Sequence, residues 1–349
     1  MAIVSPQASS NQAASVPGWQ TQMQQAITDP RHLLGLLGLQ SHAHLLSADA
    51  AAQFRLRVPR AYVARMRPGD INDPLLRQVL PLHAEMLDMA GFSDDPVADL
   101  DYLKAPGLIH KYHGRVLLIT TAGCAINCRY CFRRHFPYSD NNINSQHLQQ
   151  CLRYIAADSS ISEVILSGGD PLLLANQKLQ QLSAKVLSIP HITQLRLHSR
   201  LPVVLPDRVD AGLCAWLQQL PQPVVIVLHC NHAREIDGRM QAACARLRAA
   251  GVILLNQAVL LHGVNDSAND QIELARALLH CGVLPYYLHQ LDQVAGASHF
   301  LVSDSRAKKI HHDMRTALPG YLLPRLVRDE PGAVAKSELS FSAPGPYKQ

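Results

Sequence analysis

Cys124, Cys128 and Cys131 fall within eight residues, in the segment GCAINCRYC. Thiolates bind soft metals and iron–sulfur clusters. A structural zinc site takes four ligands, often as two separated pairs, and no second pair of cysteines follows here at a zinc-finger distance. Three thiolates from one loop can hold a cubane and leave one iron open, where a substrate or cofactor can chelate. A zinc ion and three unligated thiols are the competing readings, and free thiols would oxidise readily in air. The spacing favours the cluster.

Other chemistry-bearing side chains fall at the ends of β-branched runs. SGGD closes one run at 167–170 and HSR another at 198–200. His229, Asn231 and His232 follow a third; Asn256 and Gln257 lie in a fourth; His289, Gln290 and Asp292 end a fifth. Strands often end in polar turns, but that does not explain His229 or Gln257 inside apolar runs.

These positions imply the elements that hold them. Strands are expected at 115–120, 163–168, 194–199, 224–229, 252–260 and 284–291, with helices near 145–157, 176–188, 207–219, 234–250, 268–281 and 304–317. Ser145 and Asp207 are the expected N-caps, and Gly251 and Gly282 the stops. Alternating strands and helices imply a parallel sheet, and continuous apolar runs imply strands covered on both faces. The fold class expected is α/β: a six-unit (β/α) partial barrel with parallel strands, with a doubly wound open sheet as the rival. The carboxyl ends of such strands converge on one site. Upstream, apolar spacing at 32–40 and 74–91 reads as helix. The organisation expected is a disordered lead-in (1–16), a helical N-terminal region (17–104), the barrel (105–318) and a C-terminal segment (319–349).

Composition narrows the class. The 349 residues are 48% hydrophobic and 17% charged, enough for a large core and too few charges for a disordered chain. A net charge of +5 with no dense basic run argues against direct nucleic-acid binding. No apolar stretch approaches a membrane span, and the start carries no secretory pattern, so a cytoplasmic protein is expected. The other cysteines (151, 214, 230, 244 and 281) are scattered and read as small buried residues.

Beyond this texture, the sequence resembles a known family. The segments GCAINCRYCFRRHFPY (123–138), SGGDPLLL (167–174), HSRLPVVLPDRV (198–209), LHCNHAREID (228–237), LLNQAVLLHGVND (254–266) and LPYYLHQLDQVAGASHF (284–300) resemble the lysine 2,3-aminomutases, which are radical S-adenosylmethionine enzymes. The resemblance runs from about residue 55 to 340. FRRHFPY and the chain length are similar to the branch that makes (R)-β-lysine for modification of elongation factor P.

The resemblance implies an isomerase with three cofactors: a 4Fe–4S cluster, S-adenosylmethionine and pyridoxal 5′-phosphate. Cys124, Cys128 and Cys131 would ligate the cluster; Gly168, Gly169 and Asp170 would lie beside the methionine amino group. Lys336, in RDEPGAVAKSELSF, would form the Schiff base with pyridoxal phosphate, although PGAVAK has one glycine where familiar members have a run. Arg115 would contact the cofactor phosphate, with His229 and Gln257 near the cofactors. Arg133 would grip the substrate's α-carboxylate, and Asp292 and Asp329 its distal ammonium. No structural zinc is expected, because the cysteine cluster that binds it in some clostridial relatives has no counterpart after Cys281. Free lysine is the implied substrate, an electron donor is required, and the link to elongation factor P and its lysine ligase follows from the resemblance alone. A 2,3-aminomutase for another amino acid, such as arginine, and a non-catalytic iron–sulfur protein are the alternatives.

Overall fold

The computed structural model describes residues 18–339, so the expected lead-in at 1–16 lies outside the described residues. The six expected strands all form. They are β3 (Arg115–Thr121), β4 (Glu163–Gly168), β5 (Gln194–Ser199), β6 (Val224–Leu228), β7 (Ile253–Val259) and β8 (Leu284–His289), and each pairs in parallel with the next. Val116, Val164, Leu195 and Ile226 are buried in one continuous core, which is why these runs carry so little polar alternation.

The sheet is longer than six strands. β1 (Leu103–Ala105) and β2 (Leu108–Tyr112) add antiparallel strands before β3. β9 (Arg325–Arg328) adds a seventh parallel strand beside β8, and β10 (Ser337–Glu338) pairs antiparallel with β9. The order runs linearly from β1 to β10 with no pairing between the two edge strands, so the sheet is open, as in a partial barrel, and does not close. RLVR is too short and too charged at its ends to stand out as a strand in sequence.

Helices α1 to α5 (Trp19–Gln24, Pro30–Leu36, Ala48–Gln53, Arg60–Val63, Pro74–Arg77) make up the N-terminal region, with 3-10 turns between them. The long helix expected over 74–91 is corrected: α5 has four residues, and Pro81 bars its continuation. The apolar spacing there was a core signal, since Leu75, Leu76, Val79 and Leu80 are buried.

The crossover helices α6 (Ser145–Ala157), α7 (Asn176–Leu187), α9 (Ala211–Gln218), α10 (Gly238–Ala249), α11 (Ala268–His280) and α12 (Asp304–Ala317) match expectation, with the one-turn α8 (Leu201–Val204) after β5. Two caps move. Asn144, not Ser145, caps α6 through His147 N–H at 2.9 Å, and Asp210, not Asp207, caps α9 through Leu213 N–H at 2.7 Å. Asp207 instead sits in a 3-10 turn and accepts from Gln22. Gly251 and Gly282 stop their helices at φ +81° and +69°, with paired C-terminal bonds to Arg248 and Leu247 and to Leu279 and Leu278. Cys151, Cys230, Cys244 and Cys281 are buried, as expected, while Cys214 is only half-buried. Among the described residues no helix is long and apolar enough to cross a membrane.

Candidate active site

A cavity of about 480 Å³ is lined by residues from the carboxyl ends of the parallel strands, such as Gly168, His229 and Asp292, and reaches Arg115 and Arg325 at the amino ends of β3 and β9. The thirteen residues given a role by the resemblance all line it: Cys124, Cys128, Cys131, Arg115, Arg133, Gly168, Gly169, Asp170, His229, Gln257, Asp292, Asp329 and Lys336.

The cysteine loop leaves β3 and is held by its main chain. Gly169 N–H donates to Thr121 O at 2.7 Å, and Asp170 N–H donates to Gly123 O at 2.8 Å. Gly168 has φ +118°, and a Cβ on Gly169 would stand 2.1 Å from Gly123 O. The two glycines therefore let the SGGD turn pack directly on the backbone of the cysteine loop. The carboxylate of Asp170 is taken up within the protein. It accepts from Ser199 Oγ at 2.7 Å and from the N–H groups of Arg200, Leu201 and Leu172 at 2.8, 2.9 and 3.0 Å. Burial pushes its pKa up to about 6 against these bonds.

Burial, with the neighbouring thiols, raises Cys124 well above an ordinary thiol and Cys131 to about 11. A bound cation inverts this logic and deprotonates a coordinating thiol. Among the described residues no three or more His, Cys, Asp or Glu side chains are grouped around a single ion. Cys124, Cys128 and Cys131 line one cavity from a single loop, and three thiols are a soft donor set that fits an iron–sulfur cluster.

Behind the loop, Arg129 and Arg134 share the buried carboxylate of Glu85, with Arg129 Nε to Oε1 at 2.8 Å and Arg134 Nη2 to Oε2 at 3.0 Å. Arg129 also donates to the carbonyls of Phe54 and Ala50. The N-terminal region thereby clamps the loop from outside the barrel.

Elsewhere on the wall the groups are cationic and anionic in turn. β9 and β10 form a hairpin in which Ser337 lies opposite Arg328, so Asp329 and Lys336 meet across its first turn position. Gly332, at φ +81°, turns that loop, so a run of glycines is not needed to bring the lysine back. Lys336 Nζ donates to Asp329 Oδ2 at 2.6 Å, while Lys111 Nζ and Tyr112 Oη donate to Oδ1 at 2.5 and 2.8 Å. Burial would raise Asp329, but the two lysines outweigh it and hold its pKa at about 2. Asp292 stands apart: burial pushes it up to about 7, with Lys336 pulling the other way, and its Oδ1 has no hydrogen-bond partner. Arg133 Nε donates to Asp99 Oδ2 at 2.7 Å and its Nη1 to Ser167 Oγ at 3.3 Å.

Three histidines complete the wall. Burial drives His198 and His289 well below an ordinary imidazole and His229 to about 3, so all three are neutral near pH 7. His229 Nε2 lies 3.0 Å from Gln257 Nε2. Nε2 of His198 and of His289 is buried without a partner, like Asp292 Oδ1. Buried polar atoms are nearly always paired, so these cavity-lining atoms are placed for a polar ligand. Arg115 and Arg325 stand over the rings of Tyr112 and Tyr287 and both residues line the cavity, with Arg325 Nε also donating to Glu338 Oε1 at 2.5 Å. That donor set suits a phosphorylated group beside a lysine.

Sequence reasoning missed several wall residues. His198, Arg200 and His289 belong to strand-end motifs already conspicuous in sequence, and were not assigned roles. Lys111, Tyr112, Asp99 and Arg325 carried no signal, because they come from strands and turns that the periodicity did not reveal. His232 and Asn256, conspicuous in the same motifs, serve structure: His232 caps a 3-10 turn through Arg234 N–H, and Asn256 bonds both main-chain groups of Cys230.

An open parallel sheet whose strand ends gather three thiols of one loop with a lysine and paired carboxylates defines an iron–sulfur α/β partial barrel. The family described as "4Fe-4S single cluster domain" matches residues 113–192, which contain the three cysteines. The chain is 46% identical to the L-lysine 2,3-aminomutase of Escherichia coli (strain K12), over 93% of this chain and 94% of that protein. It is 44% identical to the enzyme of that name from Haemophilus influenzae, over 91% and 94%, and 35% identical to that from Clostridium subterminale, over 92% and 77%. The chain belongs to the L-lysine 2,3-aminomutase family.

Proposed function

We propose that this protein converts (S)-α-lysine to (R)-β-lysine by moving the amino group from C2 to C3. Cys124, Cys128 and Cys131 would hold the 4Fe–4S cluster, with S-adenosylmethionine at its open iron, and Lys336 would hold pyridoxal phosphate. When bound, these groups supply a carbon-centred radical and an electron-delocalising carrier for the migrating nitrogen.

The protein's own residues do the positioning. Arg115 and Arg325 offer cations for the phosphate. Arg133, steadied by Asp99, presents a guanidinium to the α-carboxylate. Asp292 and Asp329 offer carboxylates to the distal ammonium, which selects lysine over an amino acid with an acidic or apolar side chain. His198, His229 and His289 stay neutral and so add no charge to repel that ammonium. The apolar lining from Ile109, Val116 and Leu291 limits water around a reactive radical.

The observation that carries this reading is that one cavity joins the three thiols to Lys336 and its aspartates. The relatives' names support lysine as substrate. The resemblance of FRRHFPY to one branch supports a cytoplasmic role in supplying β-lysine for elongation factor P through a separate lysine ligase, with an external electron donor.

The test is anaerobic turnover of lysine labelled with ¹⁵N at the α-amino group, with dithionite and S-adenosylmethionine. The label is expected on C3 of the product; unchanged lysine would refute the proposal. In Lys336→Ala, the pyridoxal absorbance should vanish while the cluster absorbance stays; Cys128→Ala should do the reverse. Loss of neither band in Lys336→Ala would remove the Schiff-base assignment.

A further inference from the structure

Arg200 follows directly on β5 and is buried, 6% exposed. Its main-chain N–H donates to Asp170 Oδ2 at 2.8 Å, which fixes where the side chain starts. From there Nη1 donates to Cys128 Sγ and to Tyr130 Oη, each at 2.6 Å. Nη2 donates to Gln78 Oε1 at 2.7 Å, Glu235 Oε2 at 2.9 Å and Tyr62 Oη at 3.2 Å. Glu235 is fully buried, and its Oε1 accepts from the N–H groups of Asn231 and His232 at 2.8 and 3.1 Å. One guanidinium therefore ties the N-terminal region to the sulfur of the middle cysteine, and one buried carboxylate balances it. The four N–H groups on Nη1 and Nη2 face these five acceptors, while Nε has no partner; a single ammonium, with three donors on one atom, cannot span them.

We propose that Arg200 is a positioning residue that tunes the iron–sulfur cluster: it donates a charge-assisted hydrogen bond to the Cys128 sulfur and favours the reduced state, while Glu235 sets how much of its charge the cluster feels. The proposal rests on the iron–sulfur reading of the cysteine loop. Hydrogen bonds to ligand sulfurs and local net charge both set the potential of such clusters. Reduction adds one electron from an external low-potential donor, with no bond broken and no proton moved. The cluster and its thiolates then carry one more negative charge, which a cationic donor stabilises. Burial keeps water from screening the interaction.

The signs follow from charge. Arg200→Gln removes the cation and lowers the potential. Arg200→Lys keeps the charge but loses the fork, so it falls between Arg200→Gln and the unaltered protein. Glu235→Gln removes the opposing charge and raises the potential.

The experiment uses the full chain, reconstituted anaerobically without S-adenosylmethionine. Iron and sulfide are assayed first, and the cluster is then titrated with dithionite under electron paramagnetic resonance. The expected result for Arg200→Gln is a shift of about tenfold in the reduction equilibrium toward the oxidised state, which is ~59 mV lower for one electron. Glu235→Gln should shift it the other way. Equal potentials in all the variants would overturn the inference and leave the iron–sulfur reading standing. A shift seen only after S-adenosylmethionine is added would assign Arg200 to the nucleotide and also overturn it. Absence of iron and sulfide from the unaltered protein would remove both. If Arg200→Gln does not retain iron, Arg200→Lys and Glu235→Gln decide: opposite shifts sustain the proposal, and equal potentials end it.

Discussion

Gly169→Ala should damage the cysteine loop although it adds one methyl group. The new Cβ would stand 2.1 Å from Gly123 O, 2.6 Å from Gly123 C and 2.9 Å from Ala122 C, all main-chain atoms that cannot rotate away. Reaching even a 3.0 Å contact needs a retreat of about 1 Å. That retreat strains two bonds, Gly169 N–H to Thr121 O at 2.7 Å and Asp170 N–H to Gly123 O at 2.8 Å. Overpacking a close-fitting site costs ~1–3 kcal/mol, and each weakened buried bond adds roughly 0.5–1.5 kcal/mol at most. These ranges sum to ~2–6 kcal/mol. With an unfolding entropy of roughly 2.1 cal/mol/K per residue, 349 residues give ~0.7 kcal/mol/K, so the melting temperature should fall by ~3–8 °C. Calorimetry reads the stability, and iron and sulfide analysis reads the loop. Both should fall. Gly238→Ala is the control: it opens α10, nothing lies within 4 Å of its Cβ, and it should be neutral or stabilise by ~0.4–1 kcal/mol. A Gly169→Ala protein that melts with the unaltered protein and carries its full iron would refute the argument that loop and turn are in contact through this glycine.

Glu85→Gln leaves the buried guanidiniums of Arg129 and Arg134 without their shared anion, and should cost about 3 kcal/mol in urea denaturation with an unchanged slope. Asp292, buried and raised to about 7, is neutral on the acid side of neutrality and anionic on the alkaline side. Lysine binding measured by calorimetry should therefore tighten as pH rises through about 7, and Asp292→Asn should lose that dependence; a slope unchanged in the variant would contradict the assignment. Asp329 is held at about 2, below its unfolded value, so its stabilisation is present above the ordinary carboxylate range and is lost as pH falls toward 2. Asp329→Asn should flatten that acid limb, and should cost about 3 kcal/mol at neutral pH by leaving buried Lys111 without its counter-ion.

Much of this was legible in the sequence because two periodicities carried it. The parallel strands are buried on both faces, so RVLLIT, EVILSG and VVIVLH stood out as apolar runs. Their carboxyl ends then located most of the site, Arg115 at the amino end of β3 being an exception, and every residue assigned to it lines one cavity. The rest was hidden for local reasons. β9 is four residues with arginine at both ends, and β2 carries His110 and Lys111. Neither has an apolar pattern, yet their neighbourhoods deliver Arg325, Asp329, Lys111 and Tyr112. Apolar spacing at 74–91 reported burial correctly but helix length wrongly, because Pro81 ends what the period would extend. The glycines of SGGD were conspicuous, but their close neighbour is the cysteine loop's main chain, a tertiary contact that no local pattern encodes.

The central claim is that Cys124, Cys128 and Cys131 hold a four-iron cluster whose fourth iron is left for a small molecule. Electron–nuclear double resonance on the reduced protein, with S-adenosylmethionine carrying ¹⁵N in its methionine amino group, tests it directly. A ¹⁵N coupling to the cluster that disappears without the labelled nucleotide is the predicted result. A cluster that shows no such coupling, or whose fourth iron is already ligated by a protein side chain, would contradict it.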